Sequence, residues 1–155
     1  MNDKDYMRQA IELARINVAQ GGGPFGAVIV KDGEVIARSG NSVTRDNDPT
    51  AHAEINCIRD ACKKLESFEL KGCVVYSSCE PCPMCLGAIY WAHIDRLYYG
   101  CNKSDAADAG FDDSFIYKEL ELDSSERRLK TEELLPDEAK AAFEAWKSNE
   151  SKIEY

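Results

Sequence analysis

The chain has 155 residues, 44% of them hydrophobic, which is enough for one domain with a buried core. No apolar run approaches the length of a membrane span, and the charged N-terminus lacks a secretory signal, so we expect a globular, cytoplasmic protein with no membrane partner. The net charge of −9, with scattered lysines and arginines, disfavours nucleic acid as a partner. Seven cysteines, an odd number, indicate metal binding or buried thiols rather than a disulfide framework.

The first half of the chain is predicted to form a helix, a hairpin and a second helix. Helical spacing of apolar residues predicts the first helix from about Asp3 to Gln20. Its apolar face comprises Met7, Ala10, Ile11, Ala14 and Val18. Segments 27–31 and 34–38 flank Asp32-Gly33, which predicts a tight hairpin turn because such turns need positive φ. Thr50 is placed to cap a second helix, whose apolar face comprises Ile55, Ile58, Cys62 and Leu65.

The second half alternates strands and helices. The pattern predicts a buried strand at 73–77, a helix from Pro81 to about Trp91, a strand at 96–100 and an acidic loop at 102–113. A short helix near 115–120 follows, and then a last helix. The apolar stripe of the last helix comprises Leu135, Ala139, Ala142, Phe143 and Trp146. This order predicts an α/β fold, a three-layer α/β/α arrangement with a mixed sheet, in a single domain over 1–155.

Two short motifs carry the chemistry of the chain. His52-Ala53-Glu54 supplies an imidazole and a carboxylate, and Pro81-Cys82-Pro83-Met84-Cys85 supplies two thiols at Cys-x-x-Cys spacing. We expect His52, Cys82 and Cys85 to bind zinc and leave a fourth position for water, as in catalytic sites. Zinc activates water near neutral pH, and Glu54 beside it can transfer protons. Together the motifs predict hydrolytic removal of an amino group.

A closed structural zinc site is the alternative. Cys79 could complete a set of one histidine and three cysteines. However, Cys79 precedes the predicted helix, and Glu54 would have no role in a structural site, so the catalytic interpretation is favoured. The remaining four cysteines are predicted to be small buried hydrophobic residues, namely Cys57, Cys62, Cys73 and Cys101.

The two motifs resemble the signature of the zinc-dependent cytidine deaminase-like superfamily, which includes the nucleobase deaminases. Other segments are similar to the bacterial guanine deaminase branch and extend the resemblance over nearly the whole chain. These segments are residues 23–27, 47–54, 79–85, 87–92, 106–119 and 154–155. Within the superfamily, Phe111-Asp112-Asp113 and the terminal Tyr155 are the features that select guanine. Residues 120–147 carry no specific motif.

The resemblance implies a cytidine deaminase-like fold with about five strands, one Zn²⁺ per subunit, and hydrolysis of a small purine base, guanine, to xanthine and ammonia. It makes His52, Cys82 and Cys85 the metal ligands and Glu54 the proton shuttle. It also implies a homodimer in which C-terminal segments of about 148–155 are exchanged between subunits.

The resemblance further implies which residues hold the base. Asp113 and Tyr155 would bind the amino edge of guanine and assist proton movement, with Tyr155 placed in the partner's active site. Asn41 would hydrogen-bond the purine. Phe25, Ala53 and Trp91 would complete the substrate-binding set. By themselves, the residues favour an ordinary turn for Asn41, a core position for Trp91 and a frayed terminus for Tyr155.

Three other functions compete with guanine deamination. A tRNA adenosine deaminase shares both motifs, but its polyanionic substrate fits poorly with a net charge of −9. A deaminase of cytosine or another small base would need a smaller pocket, and only the Phe111-Asp112-Asp113 segment argues against it. A non-catalytic, zinc-stabilised binding module would gain nothing from Glu54 beside an open zinc site.

Overall fold

In the computed structural model, residues 1–155 are all described, and they form two compact units, Met1–Asp113 and Ser114–Tyr155. The first unit contains α1 (Asp3–Ala19), β1 (Gly26–Lys31), β2 (Glu34–Gly40), α2 (Val43–Asp46), α3 (Ala53–Leu65), β3 (Cys73–Cys79), α4 (Pro83–Trp91), β4 (Arg96–Cys101) and α5 (Lys103–Asp108). The second contains α6 (Ser114–Glu121), a 3₁₀ turn (Ser124–Glu126) and α7 (Pro136–Ser148). No helix combines the length and the apolar character that a membrane crossing requires.

One mixed sheet with the strand order β2-β1-β3-β4 organises the first unit. Strand β1 runs antiparallel to both β2 and β3, whereas β3 and β4 are parallel. The α/β class is therefore confirmed, but the sheet has four strands where about five were expected. The chain turns into helix α5 directly after β4, because Asn102 and Asp105 form a capping box that starts a helix there. No fifth strand follows.

The predicted hairpin is confirmed. Asp32 and Gly33 join β1 to β2 with φ angles of 50° and 78°, both in the left-handed region that a two-residue hairpin turn requires. Both strands extend beyond the predicted segments, to Gly26 at the start of β1 and to Gly40 at the end of β2. Asn41, one of the predicted substrate-binding residues, directly follows the end of β2.

Both faces of the sheet are covered by helices. Val28 and Val30 of β1 pack with Tyr6 and Ala10 of α1 on one face. Alternate residues of β1, such as Ile29, belong to the core that α3 and α4 contribute on the other face. This alternation follows from the two-residue period of a strand, and it places α3 and α4 together on the face that carries the metal-binding motifs.

The buried face of α1 agrees only in part with the predicted one, since Ala10 and Ala14 are buried as expected. Ile11 and Val18 are about half exposed, at 49% and 52%. The buried residues of the helix are Tyr6, Ala10, Ala14 and Asn17. The reason is the close approach of α1 to β1, since a Cβ at Gly26 would lie 2.7 Å from the Ala14 nitrogen. The helix backbone therefore lies against β1 around Ala10 and Ala14, and Ile11 and Val18 lie outside the buried face that these residues define.

The second unit is helical. The predicted last helix is present as α7, preceded by Leu135, which adopts a left-handed conformation with φ 55°. Its apolar stripe includes Phe143 and Trp146, both of which are exposed. The single domain expected over residues 1–155 stays a prediction.

Candidate metal and active site

The three predicted metal ligands lie together. The His52 Nδ1 atom is 3.5 Å from the Sγ atoms of both Cys82 and Cys85, and all three donor atoms lie within 4.8 Å of one another. With Zn–S near 2.3 Å and Zn–N near 2.0 Å, a tetrahedral zinc ion holds its nitrogen and sulfur ligands about 3.6 Å apart. The donor types and their spacing therefore fit one zinc ion with three protein ligands.

Two helix starts position these ligands. His52 is the N-cap of α3 and Cys82 is the N-cap of α4. The predicted helix starts, with a cap at Thr50 and a first residue at Pro81, would have put both residues inside the first turn. The cap predicted at Thr50 is wrong, because its hydroxyl donates to Asp48 Oδ1 at 2.7 Å instead. Helix α4 begins at Pro83 and not at Pro81, with the proline in the first helical position where its missing N–H costs nothing.

The electrostatics of the site favour a metal-binding thiolate. Hydrogen bonds from Cys85 and His52 lower the pKa of Cys82 to about 4. The same hydrogen bond with Cys82, together with burial, raises the pKa of Cys85. The bond with Cys82 also raises the pKa of His52. The positive ends of α3 and α4 add to the preference for a thiolate. Metal binding would displace the remaining protons.

Glu54 lies in the first turn of α3 and is only 5% exposed. Burial raises its pKa, and a hydrogen bond from the Cys85 thiol opposes that rise. A carboxylate whose pKa is raised by burial is suited to accept and return protons. Glu54 therefore sits beside the metal donors with the properties of an acid–base residue.

Cys79 is not part of the donor group. It ends β3 and pairs with Cys101 across the parallel ladder, so it does not complete a four-ligand site. Of the other cysteines, Cys57 and Cys73 are buried and Cys62 is half-buried. Cys101 is exposed, contrary to the prediction, because β4 is an edge strand.

Two of the predicted substrate-binding residues lie side by side. The Asn41 N–H donates to the Phe25 carbonyl at 3.2 Å, and the Asn41 Oδ1 atom accepts a hydrogen bond from the Val43 N–H. The Phe25 ring meets the Phe111 ring edge to face, with centroids 4.9 Å apart. An aromatic surface and an amide are thus brought together, and both suit a planar heterocycle.

The other predicted residues lie in different surroundings. Ala53 is fully buried as the first residue of α3. Burial raises the pKa of Asp113, and the Cys82 thiolate raises it further, which puts Asp113 within electrostatic range of the metal donors. Trp91 ends α4 and is 67% exposed, so the core position that composition favours is wrong. Tyr155 ends the second unit, and its role stays a prediction.

Asn56 is a site residue that sequence reasoning missed. Its Nδ2 atom donates to the Gly40 carbonyl at 3.0 Å and to Ser42 Oγ at 2.9 Å, which ties the loop around Asn41 to helix α3. The signal in the sequence is an asparagine in a helix interior, where this residue type is unfavourable unless its side chain has partners. Asn17, an asparagine within α1, is a second such residue that the sequence analysis did not identify.

Comparisons with known proteins agree with this site. Residues 1–101 match the family model described as the cytidine and deoxycytidylate deaminase zinc-binding region. The guanine deaminase of Bacillus subtilis is 51% identical over 156 residues, which is 100% of both chains. An X-ray structure of guanine deaminase from that organism superposes with a TM-score of 0.97 and covers 100% of this chain and 99% of the other.

A second group of relatives is similar over a shorter stretch. The tRNA-specific adenosine deaminase of Agrobacterium fabrum is 48% identical over 107 residues, covering 68% of this chain and 70% of that protein. The guanine deaminase matches the whole chain, whereas the tRNA-specific adenosine deaminase matches about two thirds of it. With the family model spanning both metal motifs, this chain belongs to the cytidine and deoxycytidylate deaminase zinc-binding family.

Proposed function

We propose that this protein hydrolyses guanine to xanthine and ammonia. The observation that carries the proposal is the 51% identity to a guanine deaminase over the whole chain, including the residues beyond the shared metal motifs. The geometry supports the reaction type independently, since three metal donors stand beside the buried Glu54. A binding module would have no use for that carboxylate. The protein is an enzyme, a deaminase of the hydrolase class.

His52, Cys82 and Cys85 would hold one zinc ion per subunit, consistent with the fit of their spacing to tetrahedral coordination. Zinc, when bound, supplies the Lewis acidity that activates water near neutral pH. The Glu54 carboxylate accepts the proton that water loses as its oxygen attacks the guanine carbon bearing the amino group. Glu54 gives this proton to the ring nitrogen, takes a second proton from the hydroxyl group now on that carbon, and passes it to the amino group. The amine leaves as ammonia and the hydroxyl oxygen becomes the new carbonyl of xanthine.

Residues around the metal donors would orient the base. The Phe25 ring offers an apolar face, and the Asn41 side chain offers hydrogen bonds to the edge of the purine. The main chain of Ala53 lies at the start of α3, where N–H groups have no partner within the helix. Asp113 would bind the amino edge of guanine and assist proton movement, which its raised pKa supports. Trp91 would supply a second apolar wall.

The working protein is proposed to be a homodimer that exchanges C-terminal segments of about 148–155, so that Tyr155 enters the partner's active site. The exposed apolar side chains of the second unit support a partner, since Phe143 is 68% and Ile153 is 68% exposed. We also propose the three-layer form of the fold, which helices on both faces of the sheet support. We further propose that the protein acts in the cytoplasm and takes part in the breakdown of purines.

Substrate choice tests the proposal directly. Purified protein is supplied separately with guanine, adenine, cytosine, guanosine and a tRNA anticodon stem-loop, and ammonia release is measured. We expect guanine to be preferred by at least about 100-fold, since unpaired polar groups in the site penalise a base with the wrong edge. Faster deamination of the stem-loop would overturn the proposal in favour of tRNA, and faster deamination of cytosine would favour a small-base deaminase.

A further inference from the structure

Asn17 is a buried polar residue that the proposed reaction does not use. It lies near the end of α1, on the face that packs against the sheet, and is 4% exposed. A buried amide is stable in such a position only when its hydrogen-bonding groups have partners. The hydrogen-bond partners of Asn17 therefore show which segments of the chain its side chain connects.

Both N–H groups of the Asn17 side chain are used. The Nδ2 atom donates to the Gly23 carbonyl at 2.7 Å and to the Asn41 carbonyl at 2.9 Å, and the Oδ1 atom accepts a hydrogen bond from Arg45 at 3.3 Å. The two carbonyls belong to different loops, one before β1 and the other after β2. A single side chain therefore joins two segments that the hairpin separates in sequence.

These two segments carry Phe25 and Asn41. A Cβ at Gly23 would lie 3.3 Å from the Phe25 ring and 3.5 Å from the Asn41 side chain, so the segments are in close contact. The backbone bond from Asn41 to Phe25 completes the junction. The residues proposed to recognise the base are thus held on a scaffold whose buried link is Asn17.

The side chain of Asn17 is tightly packed between two backbone segments. A Cβ at Gly22 would lie 2.5 Å from Asn17 Nδ2, and one at Gly40 would lie 2.9 Å from Asn17 Oδ1. Two backbone segments without side chains therefore close directly on the amide. Such close packing restricts the movement of both loops while Asn17 is in place.

We propose that Asn17 is a positioning residue for substrate binding, which fixes Phe25 and Asn41 in the arrangement that receives the base. It does not touch the substrate. The inference rests on the proposed function, in which Phe25 and Asn41 bind guanine. Loss of Asn17 lowers the population of the binding-competent loops and so raises the apparent dissociation constant in proportion. The metal ligands and Glu54, which stand on α3 and α4, keep their positions.

The test compares Asn17→Ala with Tyr6→Phe. Tyr6 is another buried residue of α1, and its hydroxyl donates to the Gly33 carbonyl at the far end of the hairpin. Both variants therefore remove hydrogen bonds made by a buried side chain of α1. Only Asn17→Ala removes the bonds to the loops that carry Phe25 and Asn41. For Asn17→Ala we expect KM for guanine to rise about tenfold, with kcat within about threefold and zinc content unchanged. Tyr6→Phe should leave KM as in the parent protein.

Equal KM values in the two variants would overturn the inference, as would a loss confined to kcat. Asn17→Asp is the second variant if Asn17→Ala does not fold. It keeps the shape of the side chain but turns a carboxylate oxygen towards two carbonyls, and the same rise in KM is expected.

Asn41→Ala separates this inference from the proposed function. If Asn41→Ala leaves KM unchanged, Asn41 does not bind the base, and both the proposed role and the inference fall. If Asn41→Ala raises KM and Asn17→Ala does not, only the positioning role of Asn17 falls. When both raise KM, the double variant should lose less than the product of the single effects, because Asn17 acts through Asn41.

Discussion

Replacing Glu54 by glutamine separates catalysis from folding. The side chain is 5% exposed, and an amide of the same shape fills the same space without creating a cavity. The amide oxygen can still accept the hydrogen bond from Cys85, but it cannot take a proton from water. Loss of an acid–base residue lowers turnover by about 100- to 10,000-fold. At about 1.36 kcal/mol for each factor of ten, the barrier rises by about 2.7 to 5.4 kcal/mol.

The same substitution should leave stability nearly unchanged. It removes a carboxyl group whose charged form burial disfavours, so the free energy of unfolding should fall by less than about 1 kcal/mol. Ammonia release from guanine, zinc content and urea unfolding are measured on one preparation. Glu34→Gln is the matched control, since Glu34 is an exposed residue whose ion pair with Lys64 spans 3.6 Å. Turnover within tenfold of the parent, or loss of zinc along with activity, would refute the assigned role.

Three further predictions concern the metal, the C-terminus and the packing of α1. Chelation should abolish ammonia release and lower the melting temperature, because zinc binds the native state more tightly than the unfolded chain, and added zinc should restore both. Deleting residues 152–155 should reduce guanine turnover to background while the melting transition persists, since Tyr155 is proposed to enter the site. Gly26→Ala should lower the free energy of unfolding by about 1 to 3 kcal/mol, measured in urea, because its methyl group would overlap the backbone of α1 at Ala14.

Each of these has an outcome that contradicts it. Full activity after complete chelation would remove the metal requirement, and an unaffected truncation would make Tyr155 a frayed terminus. Gly87→Ala is the control for Gly26→Ala, because a Cβ at Gly87 meets no atom within 4 Å and lies in α4. It should leave stability unchanged or raise it slightly, since alanine favours a helix. Equal effects at the two positions would refute the packing explanation.

The predictions that held rest on local patterns. The Asp32-Gly33 turn needs only positive φ at two adjacent residues, and the helices follow from spacing of apolar residues within one element. The predicted cap at Thr50 failed for a local reason, since the nearby Asp48 accepts its hydroxyl hydrogen bond. Other predictions failed because they depended on neighbours remote in sequence. Ile11 and Val18 match the helical spacing of α1, yet the helix meets β1 around Ala10 and Ala14, so both side chains stay about half exposed. Cys101 is exposed because nothing pairs with the outer edge of β4.

The chemistry of the site was determined by the sequence alone. The ligand types and the acid are set within His52-Ala53-Glu54 and Cys82 to Cys85, because each motif is only a few residues long. Tertiary structure decided that the two motifs meet, with donor atoms 3.5 Å apart, since the starts of α3 and α4 converge on one face of the sheet. It also decided that Asn17 joins two loops. Such a contact depends on the packing of segments distant in sequence, which no local pattern encodes.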